Sequence, residues 1–258
     1  MMLPLEVLQN LLMGIPPIAR FAQRYHSTGL DADPEGPTRT FELYAGLAPV
    51  AGKDILEIGP GQTAAVLAAA LEAGAKSCTA ADVVEYLAPE DTRGNRIDYV
   101  VYDGMRLPFA SARFDLIWSR TVFEHLRYPA VTVTECYRVL REGGGLIAVI
   151  DLGDHTYYGR ASSQPLKLFE CLKYPEWLWN LMKWNRSSYV NRLRKSEWMR
   201  LFVEAGFAVR SAEAKISREI AAARPALDYL HRFSEEDAVT SVLTVWLEKP
   251  RQSPAQPG

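Results

Sequence analysis

Short apolar runs alternate with longer segments of helical spacing along this 258-residue chain. Apolar runs of this kind are typical of strands that are buried on both faces of a parallel sheet. They predict strands at 55–58, 77–81, 98–101, 114–118, 144–151, 208–216 and 239–247. Helical spacing predicts helices between them at 63–73, 131–141 and 196–206. Strands and helices in alternation predict an α/β fold with a doubly wound, Rossmann-like sheet.

Segments outside this alternating pattern predict further parts of the molecule. Residues 5–13, 18–25 and 38–47 have helical spacing, so we expect residues 1–49 to form an N-terminal helical appendage. A core domain would follow at 50–250, with insertions at about 152–195 and 217–238. The last residues, 251–258, are rich in Pro, Gln and Ser and predict a flexible tail.

The insertion at 152–195 is predicted to be a helical lid over the substrate, because long insertions at this edge of such sheets often carry function. It is rich in aromatic residues, and residues 152–200 contain nine Lys or Arg against four Asp or Glu. Together these groups suit a glycosidic, aromatic or anionic ligand. The alternative is an amphipathic helix that packs on the core and exposes its charges. Its buried face would consist of Trp177, Leu178, Leu181, Met182 and Trp184.

Composition narrows the class of protein. A formal net charge of -2 argues against a nucleic-acid binder that relies on bulk charge. The three cysteines, Cys78, Cys136 and Cys171, are scattered without metal-ligand spacing, so we expect reduced thiols, no bound metal and a cytoplasmic location. Polar residues, a glycine and two prolines interrupt the apolar N-terminal stretch, and we expect neither a signal peptide nor a membrane span.

A glycine turn follows the first predicted strand, with the sequence Gly59-Pro60-Gly61. Glycine is needed where the backbone takes unusual dihedral angles or comes within contact distance of a ligand. The helix behind the turn would offer unpaired N–H groups to polar ligand atoms. The turn is therefore a candidate cofactor site, although its glycine spacing also fits the loose dinucleotide fingerprint.

Carboxylates lie at the ends of three successive predicted strands: Glu57, Asp82 and Asp103. A carboxylate at position 57 would repel the pyrophosphate of a dinucleotide but would attract a cationic ligand. Asp82 can accept both hydrogens of a ribose diol. Asp103, which is followed by Gly104, can accept a hydrogen bond from an adenine amino group. The alternative is that each carboxylate only stabilises its own turn or strand end.

These motifs, in this order, resemble those of the class I S-adenosylmethionine-dependent methyltransferases, and in particular the methyltransferase type 11-like domain. The resemblance covers roughly residues 50–152, with weaker agreement to residue 250. One departure is Gln62-Thr63, where many members carry a third glycine. The motifs that carry the resemblance are 57–61, Asp82, 103–109, 114–117 and 137–144.

The resemblance implies S-adenosyl-L-methionine as the cofactor and a seven-stranded sheet whose last strand is antiparallel. The glycines would lie against the methionine part, Glu57 would face the positive end, and Asp82 would hold the ribose. The residues that it assigns to the cofactor are Glu57, Gly59, Pro60, Gly61, Asp82, Val83, Asp103, Gly104, Met105 and Ser119.

Methyl transfer to an alcohol or phenol also needs a base near the donor methyl group. Two histidines follow the fourth and fifth predicted strands, His125 and His155, and either can serve. Asp154 could orient or share the proton with a partner. For His125 the alternative is a purely architectural role.

We therefore expect a methyltransferase (EC 2.1.1) that acts on a small-molecule acceptor, with O-methylation favoured over N- or C-methylation. A glycan or nucleotide-sugar, an aromatic metabolite and a quinone-like compound all fit as acceptors. No nucleic-acid partner is expected, and the sequence does not indicate the oligomeric state. The alternatives are a methyltransferase-like binding protein without catalysis and, more distantly, an NAD-dependent oxidoreductase.

Overall fold

One sheet lies at the centre of the computed structural model, which describes residues 3–23, 33, 35–87, 92, 96–160 and 164–251. Its strands are β1 (Asp54–Ile58), β2 (Ser77–Asp82), β3 (Ile97–Val101), β4 (Phe114–Arg120), β5 (Leu140–Asp151), β6 (Ala208–Ile216) and β7 (Thr240–Glu248). Their order across the sheet is β3-β2-β1-β4-β5-β7-β6. Strands β1 to β5 pair in parallel, and β7 is antiparallel to both β5 and β6. The predicted fold class is confirmed.

Helices precede the sheet, connect its strands and form the insertions. They are α1 (Leu3–Met13), α2 (Pro16–Gln23), α3 (Gly36–Leu47), α4 (Ala65–Glu72), α5 (Pro129–Val139), α6 (His155–Arg160), α7 (Glu176–Lys183), α8 (Lys195–Glu204), α9 (Arg218–Ala223) and α10 (Glu235–Val239). The tail predicted to be flexible lies, from residue 252 onward, outside the described residues. No helix in the described part of the chain is long and apolar enough to cross a membrane.

Different helices cover the two faces of the sheet, because successive strand residues point to opposite faces. Leu56 and Ile58 pack in one cluster with residues of α5 and α8. Ile55 packs in another cluster with residues of α3 and α4. Every position of β1 is buried, which explains why its apolar residues, Ile55, Leu56 and Ile58, point to both faces of the sheet.

The two predicted insertions pack on each other. Phe169 and Trp179 from the first share a buried cluster with Ile220 and Leu230 from the second. The prediction of which α7 residues pack on the core is partly wrong. Met182 is buried as expected, but the buried tryptophan is Trp179, which was not in the predicted set. Trp177 and Leu181 are 68% and 43% exposed.

Several basic side chains of segment 152–200 bind protein groups. Lys183 is buried, and its Nζ lies 2.7 Å from Oε2 of Glu6 in α1. The guanidinium of Arg192 donates to the carbonyl oxygens of Cys171 and Tyr174. These contacts account for much of the local basic excess, so the charge count no longer supports an anionic ligand.

The guanidinium of Arg194 is fully buried and joins both insertions to the sheet. Its Nε donates to the carbonyl oxygen of Asp237 at 2.8 Å, and its Nη1 donates to that of Leu152 at 2.8 Å. Nη2 donates to the carbonyl oxygen of Thr240 at the start of β7. One side chain therefore satisfies three carbonyl groups from two segments, one just after β5 and the other at the junction of α10 and β7.

The helix predicted from residue 196 begins one residue earlier, at Lys195, and Ser196, although serine is a common N-cap residue, does not cap it. Arg194 occupies the N-cap position of α8, and its N–H donates to the Glu197 carboxylate at 2.9 Å. The N–H and hydroxyl of Ser196 both donate to the carboxylate of Asp237. Gly206, with a φ of +99°, follows the end of the helix as predicted.

Candidate functional site

The glycine turn after β1 lies at the C-terminal edge of the parallel strands. Gly59 and Gly61 have φ values of +73° and +67°, in the left-handed region that glycine adopts without strain. A Cβ atom on Gly59 would lie 2.3 Å from Cγ2 of Val122, which follows β4. Backbone conformation and close packing therefore both require glycine at position 59. Pro60, between the glycines, is buried.

Two buried carboxylates, Glu57 and Asp82, lie beside this turn, with exposed fractions of 5% and 7%. The Asp82 carboxylate accepts the N–H groups of Gly61 at 3.3 Å and Val83 at 2.7 Å. The N–H of Gly59 donates to the carbonyl oxygen of Ala81. These bonds hold the ends of β1 and β2 together around the turn.

The electrostatics of this pair favour a cationic ligand. Burial, followed by the charge of Asp82, raises the pKa of Glu57 to about 8. Burial also raises the pKa of Asp82, against the opposing effect of the three backbone N–H groups that it accepts. Oε2 of Glu57 is buried and has no hydrogen-bond partner among the described residues. A buried acceptor without a donor points to a ligand that supplies a donor or a positive charge.

Apolar groups flank the ends of β2 and β3. Gly104 has a φ of +78°, and a Cβ atom there would lie 3.2 Å from Cγ1 of Val83. The side chains of Val83 and Met105 are 54% and 46% exposed. A flat ring can pack against exposed apolar side chains of this kind, where a glycine lets the backbone lie close to them.

Asp103 is exposed and contacts its own turn. Its Oδ1 accepts the N–H groups of Met105 at 2.8 Å and Arg106 at 2.9 Å, and these bonds lower its pKa. These bonds match the alternative interpretation in the sequence analysis, in which the carboxylate stabilises its own turn. Ser119, in contrast, is buried in β4, and its hydroxyl donates to the carbonyl oxygen of Ile58 at 3.1 Å.

A second polar group, which we call the histidine cluster (Glu124, His125, Asp151 and His155), follows β4 and β5 at the same edge. The two imidazole rings contact edge to face, with centroids 4.5 Å apart. Nε2 of His155 lies 3.6 Å from Oε1 of Glu124 and 3.8 Å from Oδ2 of Asp151. Nδ1 of His125 lies 2.7 Å from the carbonyl oxygen of Tyr189. The structure thus brings both predicted histidines together.

Burial determines the protonation of this cluster. It lowers the pKa of His125 to about 3, with a further contribution from His155, and it lowers the pKa of His155 to about 4. Burial, followed by the charge of Asp151, raises the pKa of Glu124 well above its usual value. Both imidazoles are therefore neutral at pH 7, and each has one ring nitrogen whose lone pair is not protonated.

Asp154, which was predicted to orient a catalytic partner, faces different neighbours. Its N–H donates to the carbonyl oxygen of Leu168 at 2.7 Å, and its charge acts on Cys171 and Lys183 in the insertion. The carboxylates near His155 are instead those of Glu124 and Asp151. The sequence analysis missed both, although Asp151 ends a predicted strand and Glu124 lies beside His125 in the segment after β4.

Comparison with known proteins agrees with this geometry. Residues 56–148 match the family model described as a methyltransferase domain. The ubiquinone/menaquinone biosynthesis C-methyltransferase UbiE of Roseobacter denitrificans is 29% identical over 110 residues, which is 40% of this chain and 44% of that protein. Methyltransferase GfsG of Streptomyces halstedii is 32% identical over 123 residues, 45% of this chain and 44% of that protein. The matched region thus spans less than half the length of these relatives.

Solved structures share the fold. An S-adenosylmethionine-dependent methyltransferase from Mesorhizobium loti superposes with a TM-score of 0.55 at 20% identity, covering 85% of this chain and 100% of that one. Phosphoethanolamine N-methyltransferase 2 of Haemonchus contortus, in complex with S-adenosyl-L-methionine, has a TM-score of 0.55 at 18% identity. That match covers 83% of this chain and 53% of the other. Residues 56–148 thus match a methyltransferase domain, and the seven-stranded sheet has the fold of these solved methyltransferases.

Proposed function

We propose that this protein transfers a methyl group from S-adenosylmethionine to a hydroxyl group of a small molecule. The observation that carries the proposal is the pair of buried carboxylates, Glu57 and Asp82, beside the glycine turn. Two buried acidic groups in a water-poor crevice disfavour a dinucleotide pyrophosphate, whereas the positively charged sulfonium donor would stabilise their ionised forms.

The cofactor would lie across the ends of β1, β2 and β4. Asp82 has a lone pair on Oδ2 left for the ribose diol beside its three bonds to backbone N–H groups. Glu57 would face the positive methionine end through its unpaired Oε2. Val83, Gly104 and Met105 would flank the adenine. For Asp103, whose Oδ1 already accepts two backbone N–H groups, we propose support of this turn and contact with the adenine edge.

The reaction itself is a displacement at the methyl carbon. A lone pair of the acceptor oxygen forms the new C–O bond, the S–C bond breaks with its electrons moving to sulfur, and S-adenosylhomocysteine leaves. The hydroxyl proton must pass to a base. His155, neutral and beside two carboxylates, is our candidate, with His125 as the alternative. The protein otherwise contributes alignment of donor and acceptor.

The proposal is tested by calorimetry on the full chain with S-adenosylhomocysteine and with NADH. We expect binding of S-adenosylhomocysteine only. Acceptor pools incubated with protein and donor would then be searched by mass spectrometry for a product that has gained one CH₂ unit. NADH binding without S-adenosylhomocysteine binding would contradict the proposal, and cofactor binding without any product would favour a non-catalytic binding protein.

The pH dependence of donor binding tests the role of Glu57. Because its pKa is about 8 in the free protein, the group is protonated at pH 7. A sulfonium cation stabilises the carboxylate, so binding should release a proton and affinity should rise with pH up to about 8. Calorimetry in buffers of different ionisation enthalpy measures the released proton. Glu57→Gln should abolish both effects, and a pH dependence that survives in this variant would exclude Glu57 as their source.

Loss of the proposed base should slow the chemistry and spare the cofactor. We expect His155→Ala to reduce kcat about 100-fold or more, the usual contribution of a positioned proton acceptor, with unchanged affinity for S-adenosylhomocysteine. Turnover of the acceptor found by mass spectrometry is the measurement. His231→Ala, which alters an exposed histidine outside the sheet edge, is the matched control. Equal kcat in wild type and His155→Ala would remove His155 from the mechanism.

A further inference from the structure

Three potential metal ligands converge in the histidine cluster. One ligand atom from each of Glu124, His125 and His155 lies within 4.8 Å of the other two. We propose that these three residues form a binding site for one divalent transition-metal ion. The sequence analysis expected no metal, because the three cysteines are scattered without metal-ligand spacing, and it did not consider these three residues as ligands.

The hydrogen bond of His125 prepares its ring for a metal. Nδ1 lies 2.7 Å from the carbonyl oxygen of Tyr189, and a carbonyl oxygen can only accept. Nδ1 must therefore carry the proton, which leaves the lone pair on Nε2. Histidines that bind metals usually donate their other ring N–H to a carbonyl or carboxylate in this way.

Unpaired buried atoms are the second and independent observation. Glu124 is only 2% exposed, and neither of its carboxylate oxygens has a hydrogen-bond partner within the described part of the chain. Nε2 of His155 is likewise buried and unpaired there, since 3.6 Å to Glu124 is too long for a hydrogen bond. Buried polar atoms are normally paired, so these atoms need a partner that the polypeptide does not supply. A cation satisfies all of them together.

The donor set and the spacing indicate the class of ion. Two imidazoles and one carboxylate suit Zn²⁺, Fe²⁺ or Co²⁺ better than Mg²⁺ or Ca²⁺, which prefer oxygen ligands. Ligand atoms around such an ion lie about 3 to 3.5 Å apart when its bonds are about 2.0 to 2.2 Å long. Small side-chain rotations would bring the present separations into this range. Oδ2 of Asp151 lies 3.8 Å from Nε2 of His155. Asp151 is therefore close enough to be a fourth ligand or to accept a hydrogen bond from another ligand of the ion.

The location gives the ion a role if the proposed methyl transfer is correct. A three-residue site leaves coordination positions open, and an acceptor hydroxyl bound there would lose its proton more easily. A metal-bound His155 cannot also be the free base, so the two roles exclude each other in one molecule. Metal binding itself does not depend on the proposed function.

Metal titration of the full-length protein tests the site. Protein treated with a chelator and dialysed is titrated with ZnCl₂ and with CoCl₂, followed by calorimetry and by the visible absorption of Co²⁺. We expect one equivalent to bind. Glu124→Gln and His155→Ala should each weaken binding about tenfold or more, whereas the control His231→Ala should bind as the wild type does. Binding of S-adenosylhomocysteine to each variant reports that it is folded, and it tests the cofactor site separately.

X-ray absorption at the zinc edge of the wild-type complex provides a measurement that needs no variant. Two imidazole ligands are expected. Absence of stoichiometric binding, a spectrum without imidazole ligands, or equal affinities in wild type, Glu124→Gln and His155→Ala would each overturn the proposal. A protein that binds S-adenosylhomocysteine but no metal refutes only the metal site. Metal binding without S-adenosylhomocysteine binding refutes only the proposed function.

Discussion

Asp82→Ala is expected to weaken binding of S-adenosylhomocysteine by about 1.5 to 3 kcal/mol, because hydrogen bonds to a charged group contribute about that much. By the usual conversion, this is roughly a 10- to 150-fold rise in Kd. The carboxylate would lose its contact with the ribose, and the N–H groups of Gly61 and Val83 would lose their acceptor. Isothermal calorimetry gives the Kd directly.

Two further variants separate ribose contact from support of the turn. Asp82→Asn keeps an acceptor for one of the N–H groups but loses the charge, so we expect a smaller loss of affinity. Asp98→Ala removes an exposed carboxylate from β3 and should bind as the wild type does. An unchanged Kd for Asp82→Ala would show that the ribose binds elsewhere.

Arg194→Met is expected to lower the free energy of unfolding by about 3 to 5 kcal/mol, because it leaves three buried carbonyl oxygens without a donor, and each buried group left unsatisfied costs about 1 to 3 kcal/mol. The methionine fills similar volume, but the carbonyl oxygens of Leu152, Asp237 and Thr240 lose their donors. None of these contacts involves the cofactor turn, so the effect should be on stability. Equilibrium urea denaturation measures it.

Arg200→Met provides the control for this prediction. Its guanidinium is 66% exposed and lies 3.8 Å from the equally exposed Glu204 one turn further along α8. Exposed ion pairs of this kind contribute little, so we expect a change of about 0.5 kcal/mol or less. A loss below 1 kcal/mol in Arg194→Met would mean that water replaces the guanidinium at the three carbonyl groups.

Local pattern was sufficient to predict the sheet. The apolar residues of β1 and β2 marked strands that are buried on both faces, and parallel pairing then required their carboxyl ends to meet. The convergence of Glu57 and Asp82 follows from that geometry. Asp103 likewise follows the end of a strand, yet its carboxylate accepts a hydrogen bond from the backbone of its own turn. The position of a residue at a strand end does not determine the direction of its side chain.

Contacts between distant segments explain the incorrect predictions. Ser196 has the chemistry of an N-cap, but Asp237, 41 residues away in sequence, binds its N–H and hydroxyl. Arg194 was counted as part of a basic ligand-binding excess, whereas its partners are carbonyl oxygens just after β5 and at the junction of α10 and β7. Helical spacing did reveal that α7 is amphipathic. It did not reveal which side of the helix faces the core: Trp179 is buried, whereas Trp177 is exposed.

The buried ion pair between Lys183 and Glu6 limits how this protein can be shortened. If the chain were shortened to the sheet and its connecting helices, Glu6 would be removed. The ammonium group of Lys183 would then be buried without an acidic partner, and desolvation would oppose its charge. Any shortened version would therefore also need a neutral residue at position 183. The first helix is thus an integral support of the insertion that contains α7.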